Sequence, residues 1–369
     1  MKVAIIHDYL NQYGGAERVL ESLLTIFPDA HIYTLLYNAK RTLGRFDDHI
    51  YHTSFLDFGV VRNYHRPFIP FMPLAAETMA VDNDYDLIIS DTAGYAKGIR
   101  HGKGGHRQFH LSYVYTPLRY AWELDNYFKN PVFKTFFRPA FNYLKNWDFQ
   151  AAQKPDKLVA VSRFIAGKIK DYYNRESQVL YPPMDNKKFY HDPNYQLPIT
   201  NYYLAVGRLL HYKRFDLIIR AFKELKLPLK IVGTGPEEKN LKSQISNLKN
   251  IELIPFVSDE DLRKLYQGAK ALIFPQVEDF GLVAAEAQAC GTPVIAIKAG
   301  GALEIVEDGV TGIFFGKQSV SDLVAAVKNL ELMKFDRKRV SQVSQRFSLE
   351  NFRRGILACI PEKILRGRS

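Results

Sequence analysis

Two carboxylates, Glu278 and Glu286, stand eight positions apart in a stretch that opens Pro275-Gln276-Val277-Glu278-Asp279-Phe280-Gly281-Leu282. Residues 271–274 before it are apolar and strand-like, Pro275 breaks that run, and an Ala-rich segment follows as far as Gly291. This pattern predicts a strand, an acidic loop and a helix. Glu278 then lies in the loop and Glu286 about two helical turns on, so both can face one cleft. The N–H groups near Phe280, Gly281 and Leu282 open the helix, where unpaired donors and the positive dipole end attract an anion. Gly281 has no side chain to keep a phosphate away. Two acids beside an anion site are coherent if they hold sugar hydroxyls while the amides hold the diphosphate of one nucleotide-sugar. On spacing alone, two solvated Glu on a surface helix are the commoner meaning.

Further candidate chemistry lies at other strand ends. Gly207-Arg208 follows the strand-like run 202–206, and Lys213 comes five residues later, before a helix that begins near Phe215. Two cations at a strand C-terminus can neutralise a diphosphate without a metal. Gly14 and Gly15 separate the run 2–7 from a helix marked by Val19, Leu20, Leu23, Leu24 and Phe27. They allow either close backbone approach to a ligand or a tight turn. Gly233-Thr234-Gly235-Pro236 has two glycines of a dinucleotide fingerprint, but Glu238 occupies the third glycine position. Pro236 suits a first helical turn, so this reads as a phosphate-free turn and not a nicotinamide site.

The elements that must position these residues alternate regularly. Strand-like runs at 2–7, 32–36, 86–90, 109–115 and 157–161, then at 202–206, 229–232, 251–254, 271–274 and 294–297, are separated by loops or helical stretches. Such alternation predicts two doubly wound α/β domains, as a length of 369 residues allows. Pro182-Pro183 and the polar stretch 186–200 read as the linker, giving domains 1–183 and 184–347. Ser162 reads as a helix cap. Residues 130–153 read as an aromatic helix or helix pair that is mainly core, its Lys and Arg being candidate lipid contacts.

Composition narrows the class. Hydrophobic residues at 47% and charged at 24% are those of a globular protein. Cys290 and Cys359 form neither a disulfide framework nor a metal motif, pointing to a reducing cytosol and no structural zinc. The first apolar run stops at His7-Asp8, too short for a signal peptide, and nothing approaches the roughly 18 apolar residues of a spanning helix. The net charge of +11 is uneven: residues 97–170 hold 14 Lys plus Arg against 4 Asp plus Glu, whereas residues 196–345 hold 20 against 17. A basic, aromatic-rich first domain suits an anionic membrane surface or a lipid-diphosphate acceptor. Nucleic acid is the competing partner, but no nucleic-acid module is visible.

Taken together, the Gly-Gly loop, the Arg and Lys pair, the Glu pair and the Pro-Pro linker resemble the retaining glycosyltransferases of family 4. The resemblance implies a GT-B fold, two Rossmann-like domains facing across a cleft, with residues 348–369 returning as a helix to the first. It implies that Glu278 contacts the donor sugar and Glu286 the ribose, and that Arg208 and Lys213 clamp the leaving diphosphate. It further implies that Phe256 and Val257 lie near the base and that Gly14 and Gly15 border phosphates and acceptor. Gly300-Gly301-Ala302-Leu303-Glu304 resembles the family's next loop. Residues 110–122 resemble a segment reading His-Thr-Pro, then Arg-Tyr and Trp; Tyr115 here occupies the His position, Arg119 follows it, and His7 is another possible neighbour of the sugar.

The implied reaction moves a hexose from a nucleotide-diphosphate donor to a saccharide or polyprenyl-diphosphate-linked acceptor, with retention and without cofactor or metal, in cell-surface polysaccharide synthesis. The donor is expected to be GDP-mannose, because the Glu-centred stretch resembles bacterial polysaccharide mannosyltransferases; a UDP-sugar is the alternative. A nucleotide-sugar epimerase or hydrolase and a non-catalytic basic binding protein are the readings from other classes. The expected location is the cytoplasm, peripheral on the inner face of the cell membrane.

Overall fold

Short apolar runs rich in Val and Ile become parallel strands in this chain, because helices on both faces bury them completely. The computed structural model describes residues 1–101, 108–123, 136–193 and 201–366. The chain divides into two units, Met1–Tyr181 with Phe352–Ser369, and Pro182–Asn351.

In the first unit the strands are β1 (Val3–Leu10), β2 (His31–Tyr37), β3 (Ile50–Thr53), β4 (Leu87–Thr92), β5 (Phe109–Val114), β6 (Lys157–Ala160) and β7 (Gln178–Val179). They form one sheet in the order β3-β2-β1-β4-β5-β6-β7, all neighbours parallel. The helix Gly15–Ile26 buries Val19, Leu20, Leu23 and Leu24, the residues whose spacing announced it. Ser162 caps the helix Arg163–Tyr173, its Oγ accepting from the Ile165 N–H at 3.1 Å. Residues 130–135 of the aromatic stretch and 194–200 of the linker lie outside the described residues. The helix Arg138–Ala151 buries Phe141, Leu144 and Trp147. The first unit takes up the later part of the C-terminal helix Leu349–Ala358: the Phe352 ring meets Tyr113 with centroids 5.5 Å apart.

The second unit has β8 (Tyr203–Val206), β9 (Leu229–Val232), β10 (Ile251–Ile254), β11 (Leu272–Phe274), β12 (Val294–Ile297) and β13 (Gly312–Phe315), in the order β10-β9-β8-β11-β12-β13. Its core joins strand residues such as Ile231 and Ile295 to Ile218 and Phe222 of the helix Phe215–Leu225 and Leu323 and Val327 of the helix Val320–Glu331. Both sheets are doubly wound and parallel, as expected.

In each sheet the strand order reverses once, between β1 and β4 and between β8 and β11. Sheets of this kind bind ligands at the strand C-termini beside such a reversal. A cavity of about 520 Å³ lined by Lys2, Pro28 and Asp86 opens at the opposite, N-terminal end of β1 and β4, away from that position. Among the described residues no helix is long and apolar enough to cross a membrane.

Candidate functional site

In the second unit the loops after β8 and β11 carry the predicted cations and the first acid. Lys213 closes the 3-10 turn His211–Lys213, and its Nζ lies 2.7 Å from Oε1 of Glu278, both side chains being largely shielded. The lysine stem runs beside Gly207, where an added Cβ would stand 3.4 Å from Nζ. Arg208 is exposed on the same loop.

The backbone around Glu278 is fixed by its neighbours. Gly301 donates its N–H to the Glu278 carbonyl at 2.9 Å, and Gln318 Nε2 donates to the Pro275 carbonyl at 2.7 Å. A Cβ at Gly301 would lie 2.3 Å from the Phe280 carbonyl oxygen, so the Gly300-Gly301 loop can lie on the acidic loop only without side chains. Gly281 takes φ +112° immediately before the helix Leu282–Ala289, in the region that glycine tolerates. The Phe280 ring is buried against Phe347, so only its main chain can serve a ligand.

Glu286 differs from Glu278 in its surroundings. It is buried within the helix and its Oε2 accepts from the Tyr266 hydroxyl at 3.3 Å. Burial, reinforced by the charge of Glu286, raises the neighbouring Cys290 thiol far above its usual range, leaving it a protonated core residue. Phe256 is 81% exposed and Val257 half-buried after β10, two strands from β8 and so roughly 10 Å across the sheet.

The fingerprint-like glycines pack loop on loop. A Cβ at Gly233 would stand 2.0 Å from the Gly207 carbonyl oxygen, and one at Gly235 2.6 Å from that of Leu209. Leu209 donates its N–H to the Thr234 carbonyl at 2.9 Å. These glycines therefore support the loop that bears Arg208.

In the first unit, the β1–β4 reversal brings together a buried constellation that sequence reasoning found only in part. His7 and Asp91 are register partners, with His7 Nδ1 2.8 Å from Asp91 Oδ2, and His7 Nε2 lies 3.8 Å from Glu17 Oε1. Burial works to lower the His7 pKa, but Asp91 and Glu17 override it and push it up to about 10, so the ring is an imidazolium at neutral pH. The other oxygen of Glu17 accepts the Gly14 N–H at 2.8 Å, tying the Gly-Gly loop to the same charge system.

Tyr115 donates its hydroxyl to the Ala16 carbonyl at 3.2 Å, and burial together with Asp91 keeps that hydroxyl protonated. It cannot take up a proton as an imidazole at that place would. Arg119 opens the short helix Arg119–Trp122, which Asp148 secures by accepting from Leu118 N–H at 3.3 Å and Trp122 Nε1 at 2.8 Å. Asp148 is itself paired with the fully buried Lys97 at 2.6 Å. His110 hydrogen-bonds Ser90 Oγ at 2.9 Å, and burial holds it neutral inside the sheet.

Glu17 and Asp91 were the residues not singled out from sequence. Their signals were Glu17 in the first turn after Gly14-Gly15, and Asp91 one position beyond the apolar run 86–90. Among the described residues no group of His, Cys, Asp and Glu could hold a metal ion.

The comparisons fall on this same ground. Residues 192–347 match the family model of glycosyl transferases group 1. The match covers nearly the whole second unit, including the Lys213–Glu278 contact and Glu286. An uncharacterized glycosyltransferase of Methanocaldococcus jannaschii is 30% identical over 213 residues, covering 56% of this chain and 59% of that protein. A D-inositol 3-phosphate glycosyltransferase of a Mycobacterium species is 29% identical over 203 residues, 49% of this chain and 46% of that protein. The chain thus spans about half the length of these curated relatives.

Among solved structures, Anabaena HepE in complex with UDP superposes with a TM-score of 0.71 at 20% identity, covering 97% of this chain and 99% of that one. Sucrose-phosphate synthase from Thermosynechococcus elongatus gives 0.69 at 15% identity over 100% of both chains. At such identities the likeness shows the fold, which is GT-B.

Proposed function

We propose that this chain is a retaining glycosyltransferase that moves a hexose from a nucleoside-diphosphate sugar to an acceptor hydroxyl. The observation that supports this reading is the 2.7 Å contact between Lys213 and Glu278, a cation beside a carboxylate where the second sheet reverses its strand order. When the glycosidic bond breaks, negative charge grows on the departing phosphate. Lys213, Arg208 and the main chain at 280–282 meet that charge, while Glu278 takes the sugar hydroxyls and Glu286 the ribose. Phe256 and Val257 serve the base, while in the first unit Gly14 and Gly15 serve the donor phosphates and the acceptor, and His7, Tyr115 and Arg119 the sugar or the acceptor. With the charge met by side chains, transfer survives a chelator. Its loss on chelation and return with magnesium would overturn the metal-free part of the reading.

The donor favoured by the Glu-centred motif is GDP-mannose. The UDP and UDP-glucose complexes of Anabaena HepE favour a UDP-sugar as the second reading. The acceptor is a saccharide or a polyprenyl-diphosphate-linked sugar at the inner membrane face, in cell-surface polysaccharide synthesis. Calorimetric titration with GDP and UDP separates the donors, and transfer of labelled sugar to lipid-linked acceptors tests the reaction. Lys213→Ala is expected to lower transfer on the order of 10²-fold with the fold intact. Full turnover by that variant sinks the clamp.

A further inference from the structure

Residues 55–74 of the first unit have two contrasting faces. Val61 and Met72 are fully buried in the core of the first unit, as are Ala75 and Ala76 just after the segment. Phe55 in the preceding turn, Phe58 and Tyr64 at the two ends of the helix Gly59–Asn63, and Phe71 and Leu74 of the next two helical segments are each about half exposed or more, Tyr64 reaching 73%. So many large apolar side chains exposed within twenty residues are unusual on a protein surrounded only by water.

The segment is also held in place. Asn11, one residue beyond β1, donates through Nδ2 to the Arg62 carbonyl at 3.2 Å and meets His65 Nδ1 at 3.1 Å. The His65 ring lies against Tyr9 of β1 with centroids 5.0 Å apart. The exposed aromatics are therefore tethered to the start of the loop that carries Gly14 and Gly15.

Its charge is one-sided. No Asp or Glu occurs between Asp57 and Glu77. Arg66 and Arg41 are exposed, and after burial they are the influences that hold His65 below its usual range, which places both cations around this edge. Arg62 is neutralised by Asp57 at 2.7 Å and adds little. Aromatic and aliphatic side chains flanked by arginines, with the one acid of the segment, Asp57, already paired with Arg62, match the headgroup layer of an anionic bilayer, where rings enter the interface and cations meet lipid phosphate. A second copy of this surface would set the same arginines against each other.

We infer that residues 55–74 form a membrane-docking surface for anionic lipid, which lays the Gly14-Gly15 loop close to the bilayer so that a lipid-linked acceptor can reach it. The acceptor part rests on the proposed transferase reading; the docking itself does not. The test is flotation of the full chain with vesicles of phosphatidylcholine alone or mixed equally with phosphatidylglycerol. Alongside run the Phe58→Ser/Tyr64→Ser/Phe71→Ser and Arg41→Glu/Arg66→Glu variants, with nucleotide titration of each as the control for folding.

The wild-type protein is expected to float with the mixed vesicles and not with phosphatidylcholine alone. Each variant is expected to lose on the order of tenfold or more in partitioning while binding nucleotide as the wild type does. Wild-type protein that stays unbound, variants that float equally well, or a wild-type dimer that the aromatic variant breaks without any vesicle binding would each overturn docking. Flotation without nucleotide binding would leave docking standing and sink the transferase reading.

Discussion

His7 keeps its proton because two carboxylates share it, and that has a measurable consequence for stability. Its folded pKa of about 10 stands above the ordinary 6.5, so the stabilisation it brings is fully present below about pH 6.5 and is lost as the pH rises through about 10. The urea midpoint of the wild-type protein is expected to fall across that window, and His7→Gln to flatten the slope. The variant also strands buried Asp91 without a counter-charge, a loss of about 3–5 kcal/mol. An unchanged slope would show that His7 is not the group that titrates. His7 was legible from its place at a strand end. Its partner Asp91 was not, because the contact joins residues 84 apart in sequence and exists only once β1 and β4 lie side by side. Lys213 and Glu278 were both legible, but not that they touch, since that depends on β8 and β11 being neighbours.

At the scale of elements, glycines decide how closely the site loops approach. Gly301 has ordinary backbone angles, so Gly301→Ala brings collision with the Phe280 carbonyl and no dihedral strain. The expected cost is about 1–3 kcal/mol, with weakened nucleotide binding as the Glu278 backbone shifts. Gly167 lies within the helix Arg163–Tyr173 and meets nothing within 4 Å, so Gly167→Ala is expected to gain about 0.5–1 kcal/mol and leave binding unchanged. Thermal unfolding with nucleotide titration reads both, and equal behaviour of the two variants would refute the account. Central strands were legible because Val and Ile runs covered on both faces leave few alternatives. The strands without a comparable signal, β3, β7 and β13, are all sheet edges, and β3 and β7 are short and partly exposed.

At the scale of the whole molecule, two units with separate cores need not melt together. A nucleotide held by the second unit at a hundred times its dissociation constant stabilises that unit by about 2.7 kcal/mol. Calorimetry is expected to show that shift in one transition only; an equal shift in both would mean that the units unfold as one. The charge excess of residues 97–170 was legible as a property of the first domain. The exposed apolar segment 55–74 was not, because sequence alone could not separate its core-facing residues from those facing outward.

The second unit is inserted within the first, whose closing piece begins at Phe352. Phe352 packs on Tyr113, and Gly355 leaves the space that Leu180 fills. During synthesis the early sheet must therefore wait for residues 182–351 before its last contacts arrive, roughly 10–30 s at ordinary elongation rates. A released chain truncated before Phe352 would present Tyr113 and Leu180 uncovered to chaperones, whereas the inserted unit would have all its residues.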